Sequence, residues 1–329
     1  MSGGSDSAAV AYRPLGGRRV RVLAHGGPVE RHLVLHGEHL YWTEPLDGTV
    51  TRISKRGGVP VVLATDQRGV GAIAIVDGWL YWGRRYLYGN EGLYRMPLGG
   101  GEPTRICEGR VEALAILEEL VAWTSIGEDG RGSVHLTRVG DGRTVPLATG
   151  EKMPRSIVLD GENAYWACYG LKRPSYFEDG SIVRASRTEV GDHELLARDR
   201  SMPSSLLLDS EARVLTWCEG RTTYGPGPFV PGRIWRHELA TGAARLLCEW
   251  DEQDGMLAAD ATHVYFLACM GGTMWRVPIA GGEPEPMLAP AANRLLWSSA
   301  IAVDDRFVYW AAHSSDSAGG AIFCMAKSA

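Results

Sequence analysis

A short aromatic step returns seven times along the chain at nearly even spacing. It reads Tyr41-Trp42, Tyr81-Trp82, Ala122-Trp123, Tyr165-Trp166, Thr216-Trp217, Tyr265-Phe266 and Tyr309-Trp310, at intervals of 40, 41, 43, 51, 49 and 44 residues. Self-similarity at a period of roughly 40–50 residues marks a repeat protein, in which each unit buries its apolar face only against its neighbours. That constraint overrides the soft expectation of about two domains for a chain of 329 residues. It also provides an internal control. What repeats belongs to the scaffold, and what breaks the repeat is a candidate for function.

Each unit holds four short β-favouring runs with turn residues between them. In the first these are Leu33–Leu35, His39–Thr43, Thr49–Ser54 and Val59–Ala64, with Gly57-Gly58 before the last. The second unit copies them with Ala72–Val76, Trp79–Trp82, Gly92–Met96 and Pro103–Cys107, and no helical stripe of useful length appears. Four-stranded units repeated around an axis are β-propeller blades, and radial closure leaves only short, protected sheet edges. The expected fold is all-β: a seven-bladed β-propeller of four-stranded antiparallel blades, one domain over residues 1–329.

The chain ends show how such a ring would close. The last unit supplies three strands, at Ala300–Val303, Phe307–Trp310 and Ala321–Cys324, and then runs out. The missing fourth strand is available at Arg19–Ala24. Upstream, Ala11–Gly17 also resembles the third strand of a blade, matching Leu93–Gly100, so there is one candidate too many. The favoured closure joins three C-terminal strands to one N-terminal strand within a closing segment at 10–24, after a flexible tail at 1–9. The alternative makes residues 10–15 the third strand and displaces the C-terminal strip.

Composition narrows the function classes. The net charge is −5 with no basic run, which disfavours nucleic acid as a partner. No stretch of about 18 apolar residues exists to form a membrane helix. The first residues lack the basic and apolar regions of a secretory signal. Cysteines 107, 168, 218, 248, 269 and 324 form no CxxC pair or zinc spacing, and their scatter suits reduced thiols in the cytoplasm. Nucleophile elbow, P-loop, HExxH and dinucleotide motifs are all absent.

The second-strand tetrads Tyr41-Trp-Thr-Glu44, Tyr81-Trp-Gly-Arg84, Ala122-Trp-Thr-Ser125, Tyr165-Trp-Ala-Cys168 and Tyr309-Trp-Ala-Ala312 resemble the YWTD repeat of receptor-type propellers. They are also similar to the Trp-Phe-Thr-Glu repeat of streptogramin B lyase and its relatives. The first resemblance implies a six-bladed extracellular ring, from which seven anchors depart. The second implies a metal held by central-channel residues, and among these tetrads Glu44 alone carries the acidic fourth position.

Two polar features repeat and read as scaffold. Arginine recurs in the third strand at 52, 95, 138, 184, 236 and 276, a register suited to inter-blade hydrogen bonds or salt bridges. Asp77, Asp160, Asp209, Asp260 and Asp304 recur between the first and second strands, where aspartate caps turns; His36 and Glu118 replace it twice.

The repeat breaks in loops expected at one mouth of the channel, where loops on a rigid scaffold carry function. The second-to-third-strand loops of units 2, 4 and 5 offer Arg84, Arg85, Tyr86 and Tyr88; Tyr169, Lys172, Arg173 and Tyr176; and Arg221 and Tyr224. Inter-unit loops add Arg68, Arg200 and Trp297. This basic-aromatic rim suits a small molecule or peptide with an anionic group and an apolar part. The competing reading is that the rings only pack these loops together. His25 or His32, with His313 and Glu44, could meet across the junction of units 7 and 1, enough for a divalent metal or acid/base site.

Three functions follow. The leading one is a ligand-binding accessory or tailoring protein of a bacterial biosynthetic pathway, without a resident cofactor. The second is a lyase or hydrolase using Glu44, His25 and His313, with a divalent metal possible. The third is a platform for a partner protein.

Overall fold

In the computed structural model, the described residues are 12–26, 32–85, 89–171, 178–188, 191–220, 231–251, 255–268, 272–290, 296–314 and 320–328. They form seven antiparallel sheets arranged as the blades of a ring, with no helix among them. Blade 1 shows the pattern, with strands A to D at Leu33–His36, His39–Glu44, Thr49–Ser54 and Val61–Ala64.

The aromatic dyad holds the ring together because neighbouring residues of a strand face opposite sides of its sheet. Each of the seven apolar clusters between blades contains the dyad's second residue from one blade. Trp42 packs with Tyr309 of blade 7, Trp82 with Tyr41, Trp166 with Ala122, Trp217 with Tyr165 and Trp310 with Tyr265. Phe266 takes the same place against Cys218 and Ile234. A buried Trp removes roughly 150–250 Å² from water, worth about 4–6 kcal/mol before entropy.

The indole N–H groups need acceptors where they are buried. Trp42 donates to Glu44 Oε1 (3.2 Å), Trp82 to Gln67 (3.1 Å), Trp123 to Thr137 (2.8 Å), Trp166 to Glu151 (3.0 Å) and Trp217 to Glu219 (2.8 Å). The acceptor follows two residues later on the same strand in blades 1 and 5 but comes from another strand or loop in blades 2, 3 and 4, so no single sequence repeat records the requirement.

The turn aspartates act as caps. The Oδ1 atoms of Asp160, Asp260 and Asp304 each accept two backbone N–H groups of their turn. Each Oδ2 accepts the hydroxyl of the blade's own anchor Tyr, at 2.8, 2.9 and 3.0 Å. The strand C arginines are less uniform than their register suggests. Arg236 and Arg276 cross to the next blade, donating to Ile279 O and Lys327 O. Arg95 stays within its blade, over the Trp79 ring, as does Arg184, on Glu194.

Closure follows the favoured expectation. Strand β2 (Val20–Gly26) pairs with Gly320–Ala326 as the outer strand of blade 7. The surplus segment has another place: β1 (Tyr12–Pro14) adds a fifth strand to blade 6, against Glu285–Pro290. Tyr12 is buried edge-on against Trp310 and Phe323, with centroids 5.4 and 5.1 Å away. Between the two strands Arg18 donates to Leu15 O, Lys327 O and Glu285. Blade 7 is clasped on both sides by an ion pair between an A–B turn aspartate and the next blade's lysine. These are Asp260 with Lys327 and Asp304 with Lys55 (3.0 Å).

Candidate functional site

Strands A line the central channel, and their first residues are irregular in four blades. The A–B register shifts between Val70 and Ile73, Pro154 and Ser156, Ser204 and Leu207, and Ser298 and Ala300. Such bulges re-aim side chains at the rim of a closed sheet structure. Here they sit at the mouth shared by the B–C and D–A loops. Ser205 lies in the left-handed region, at φ +52°, a conformation that costs a non-glycine residue energy. Its hydroxyl accepts Leu257 N at 2.8 Å, while Ser156 Oγ accepts Leu206 N at 3.0 Å. These serines staple neighbouring blades around the channel.

A cavity of about 230 Å³ occupies the channel there. Its walls come from blades 1, 3, 4, 5, 6 and 7, and include His32, Arg155, Tyr169, Ser204, Ser205 and Met256. The bulge at 154–156 carries Arg155, and its Nη1 pairs with Glu112 Oε1 at 2.7 Å. Arg85 approaches the same oxygen from the blade 2 loop, at 3.2 Å. The Tyr169 ring lies under the Arg155 guanidinium, 5.4 Å from its centroid. All three charged side chains are mostly buried, at 13 to 24% exposure. Two guanidiniums share one carboxylate oxygen. Arg155 Nε is buried with no acceptor among the described residues, which normally costs about 1–3 kcal/mol. The Arg155 side chain as a whole is 24% exposed, so an anion entering the mouth would meet the open part of the guanidinium rather than this enclosed nitrogen.

Of the residues singled out in the sequence, Arg85 and Tyr169 join this cluster, and His32 lines the cavity. Arg84 does not reach the mouth. It is 3% exposed, donates to Arg68 O and Asn90 Oδ1, and packs over Tyr94, so it braces its own loop. Arg68 is exposed. Arg200 lies over the Trp235 ring, 3.7 Å from Glu219. Trp297 pairs with His313 across the A and B strands of blade 7. Tyr86, Tyr88, Lys172, Arg173, Tyr176, Arg221 and Tyr224 lie outside the described residues.

The His–Glu set is only partly brought together. Trp297, His313, Gly320 and Gly26 form one transverse row in blade 7. A Cβ on Gly26 would stand 2.6 Å from Glu44 Oε1, so that row faces Glu44. His25, one residue before Gly26, pairs with Ala321 and points to the other side of the sheet, toward blade 6. Glu44 already accepts the Trp42 indole and the Thr49 hydroxyl (2.8 Å). No group of three His, Cys, Asp or Glu among the described residues is arranged to hold a metal.

Three residues escaped the sequence reading. Glu112 and Arg155 sit at strand A starts, where neither repeat nor motif flags them; only their charge beside an apolar strand distinguishes them. Glu219 repeats the role of Glu44, and the shared Trp-x-Glu of Trp42–Glu44 and Trp217–Glu219 could have revealed it. Glu219 is deeply buried, and desolvation raises its pKa despite the Trp217 N–H and the Arg200 and Arg233 charges.

No family model matches the chain, and no curated protein matches it. Solved structures do. An oligogalacturonate lyase in complex with manganese aligns at TM-score 0.67, with 11% identity over 96% of this chain and 95% of that one. The WD40 β-propeller domain of Doa1 aligns at 0.62, with 15% identity over 93% and 97%. A chain of the nidogen/laminin complex aligns at 0.55, with 19% identity over 77% and 97%. These likenesses establish the fold alone. They agree with the YWTD-like and lyase-like resemblance at that level, and propellers host many unrelated activities.

Proposed function

We propose that this propeller binds a small molecule or peptide at the channel mouth, through a carboxylate or phosphate held by Arg155 and Arg85. The observation that carries this reading is the partly exposed Arg155 guanidinium at the cavity, whose Nε has no acceptor among the described residues and whose carboxylate partner is shared with Arg85. Arginine's planar fork suits bidentate oxyanions, and a buried charge-assisted bond is stronger than a neutral one. The Tyr169 ring and the Leu33, Leu206 and Leu257 walls would receive the apolar part. The proposed setting is cytoplasmic. An accessory role in a biosynthetic pathway fits a site with a recognition cluster and no assigned nucleophile.

Isothermal titration with phenyl phosphate and benzoate tests this. Wild type is expected to bind at least one of them, and Arg155→Gln to bind it at least tenfold more weakly, with its fold intact by circular dichroism. Equal affinity in the two proteins would remove the channel mouth as the site.

A further inference from the structure

The opposite face carries a second candidate site. There, between blades 5 and 6, two adjoining cavities of about 530 and 320 Å³ share Arg236, Ala261 and Ile279. Together they form a radial groove from the channel's far mouth to the outer strand of blade 5. Blade 7 is clasped to its neighbours on this face by Lys327 and Lys55, three residues beyond the strand C partner of the anchor Tyr. The equivalent position in blade 6 is Ile279, so no lysine spans the gap to Asp209.

Two guanidiniums lie together in the groove. Arg236 Nη1 donates to Ile279 O at 3.3 Å, and Arg245 donates to the same carbonyl at 2.7 Å and to Ala280 O at 3.2 Å. Among the described residues neither has a carboxylate at ion-pair distance. Burial and the neighbouring Arg245 charge both depress the Arg236 pKa, so an added anion would relieve that repulsion. The other lining residues are mostly small and apolar, with Ala243, Ala244, Ala261 and Ala280 leaving room for a main chain to lie close. Glu238 and Asp209 flank the pair and would repel a second negative charge.

We propose that this groove takes an extended peptide segment carrying a single Asp or Glu, whose carboxylate bridges Arg236 and Arg245 and whose neighbours are small and apolar. The elongated, small-residue lining favours a peptide over a compact anion, and the flanking acids favour one negative charge over a polyanion.

Fluorescence anisotropy with the labelled pentapeptide Ala-Leu-Asp-Leu-Ala tests this. Wild type and Arg155→Gln should bind it equally, while Arg245→Gln, and wild type with the Asn version of the peptide, should bind at least tenfold more weakly. Arg245 is exposed, so its replacement leaves the fold intact. Absence of binding to wild type, equal binding of the Asp and Asn peptides, or unchanged affinity in Arg245→Gln would overturn the proposal. So would loss of binding in Arg155→Gln, which would put the peptide at the channel mouth. Free succinate displacing the peptide at equal concentration would assign the groove to small anions instead.

Discussion

Glu112→Gln should destabilise the protein in a way that anions repair. The substitution keeps shape and one acceptor oxygen but leaves the Arg85 and Arg155 guanidiniums facing each other without a charge between them. Breaking a fully buried pair from one side costs about 3–5 kcal/mol. Exposures of 13 to 24% admit some solvent, which discounts this to about 2–3 kcal/mol. At roughly 2 °C per kcal/mol for a chain of this size, Tm should fall by about 4–6 °C. A bound anion restores stability by mass action, about 1.4 kcal/mol at ten times its dissociation constant. Differential scanning calorimetry with and without inorganic phosphate should therefore show a larger phosphate-induced rise in Glu112→Gln than in wild type. A variant melting within 1 °C of wild type, or gaining no more from phosphate, would show that the cluster is not the buried, charge-limited site described.

Tyr12→Ala removes a buried ring wedged against Trp310 and Phe323 and should cost about 3–5 kcal/mol by urea unfolding; a loss under 1 kcal/mol would mean that β1 does not latch blades 6 and 7. Asp260 and Asp304 have pKa values depressed by turn N–H groups and by Lys327 or Lys55. Their contribution is thus present above the ordinary carboxylate range and lost as pH falls through the folded values. Denaturation midpoints should drop below about pH 4, and the double Asp260→Asn, Asp304→Asn variant should show a flatter profile. Glu44→Gln should keep an acceptor for the Trp42 indole and leave anion binding unchanged, whereas Glu44→Ala should lose about 1–2 kcal/mol. If Glu44→Gln instead released a divalent ion detectable by native mass spectrometry, Glu44 would be a ligand rather than an indole cap.

The ring was legible because the Tyr-Trp dyad serves two interfaces at once: Tyr41 faces blade 2 while Trp42 faces blade 7, so an aromatic second residue is kept in all seven blades and the Tyr in five of them. The turn aspartates were legible for a similar reason, since Asp160, Asp260 and Asp304 each solve the same local hydrogen-bonding problem. The fate of Tyr12–Pro14 was not, because a strand's partner depends on which outer edge lies within reach. The candidate site was legible at Arg85, Tyr169 and His32 alone among its residues. Arg155 and Glu112 meet because a bulge re-aims one and the ring brings blades 2, 3 and 4 together at the channel, and no local pattern records that convergence. Arg84 misled for the complementary reason. Its position before a variable loop suggested exposure, yet Arg68 O and Asn90 draw it inward.

The Nε–H resonances of the arginine side chains test the central claim most directly. Assigned by their loss in Arg155→Gln and Arg85→Gln, they can be followed by NMR during titration with phenyl phosphate. The account predicts that the Arg155 signal shifts saturably and further than that of Arg236 on the opposite face. An unmoved Arg155 signal, while phenyl phosphate binds and other arginines respond, would contradict it.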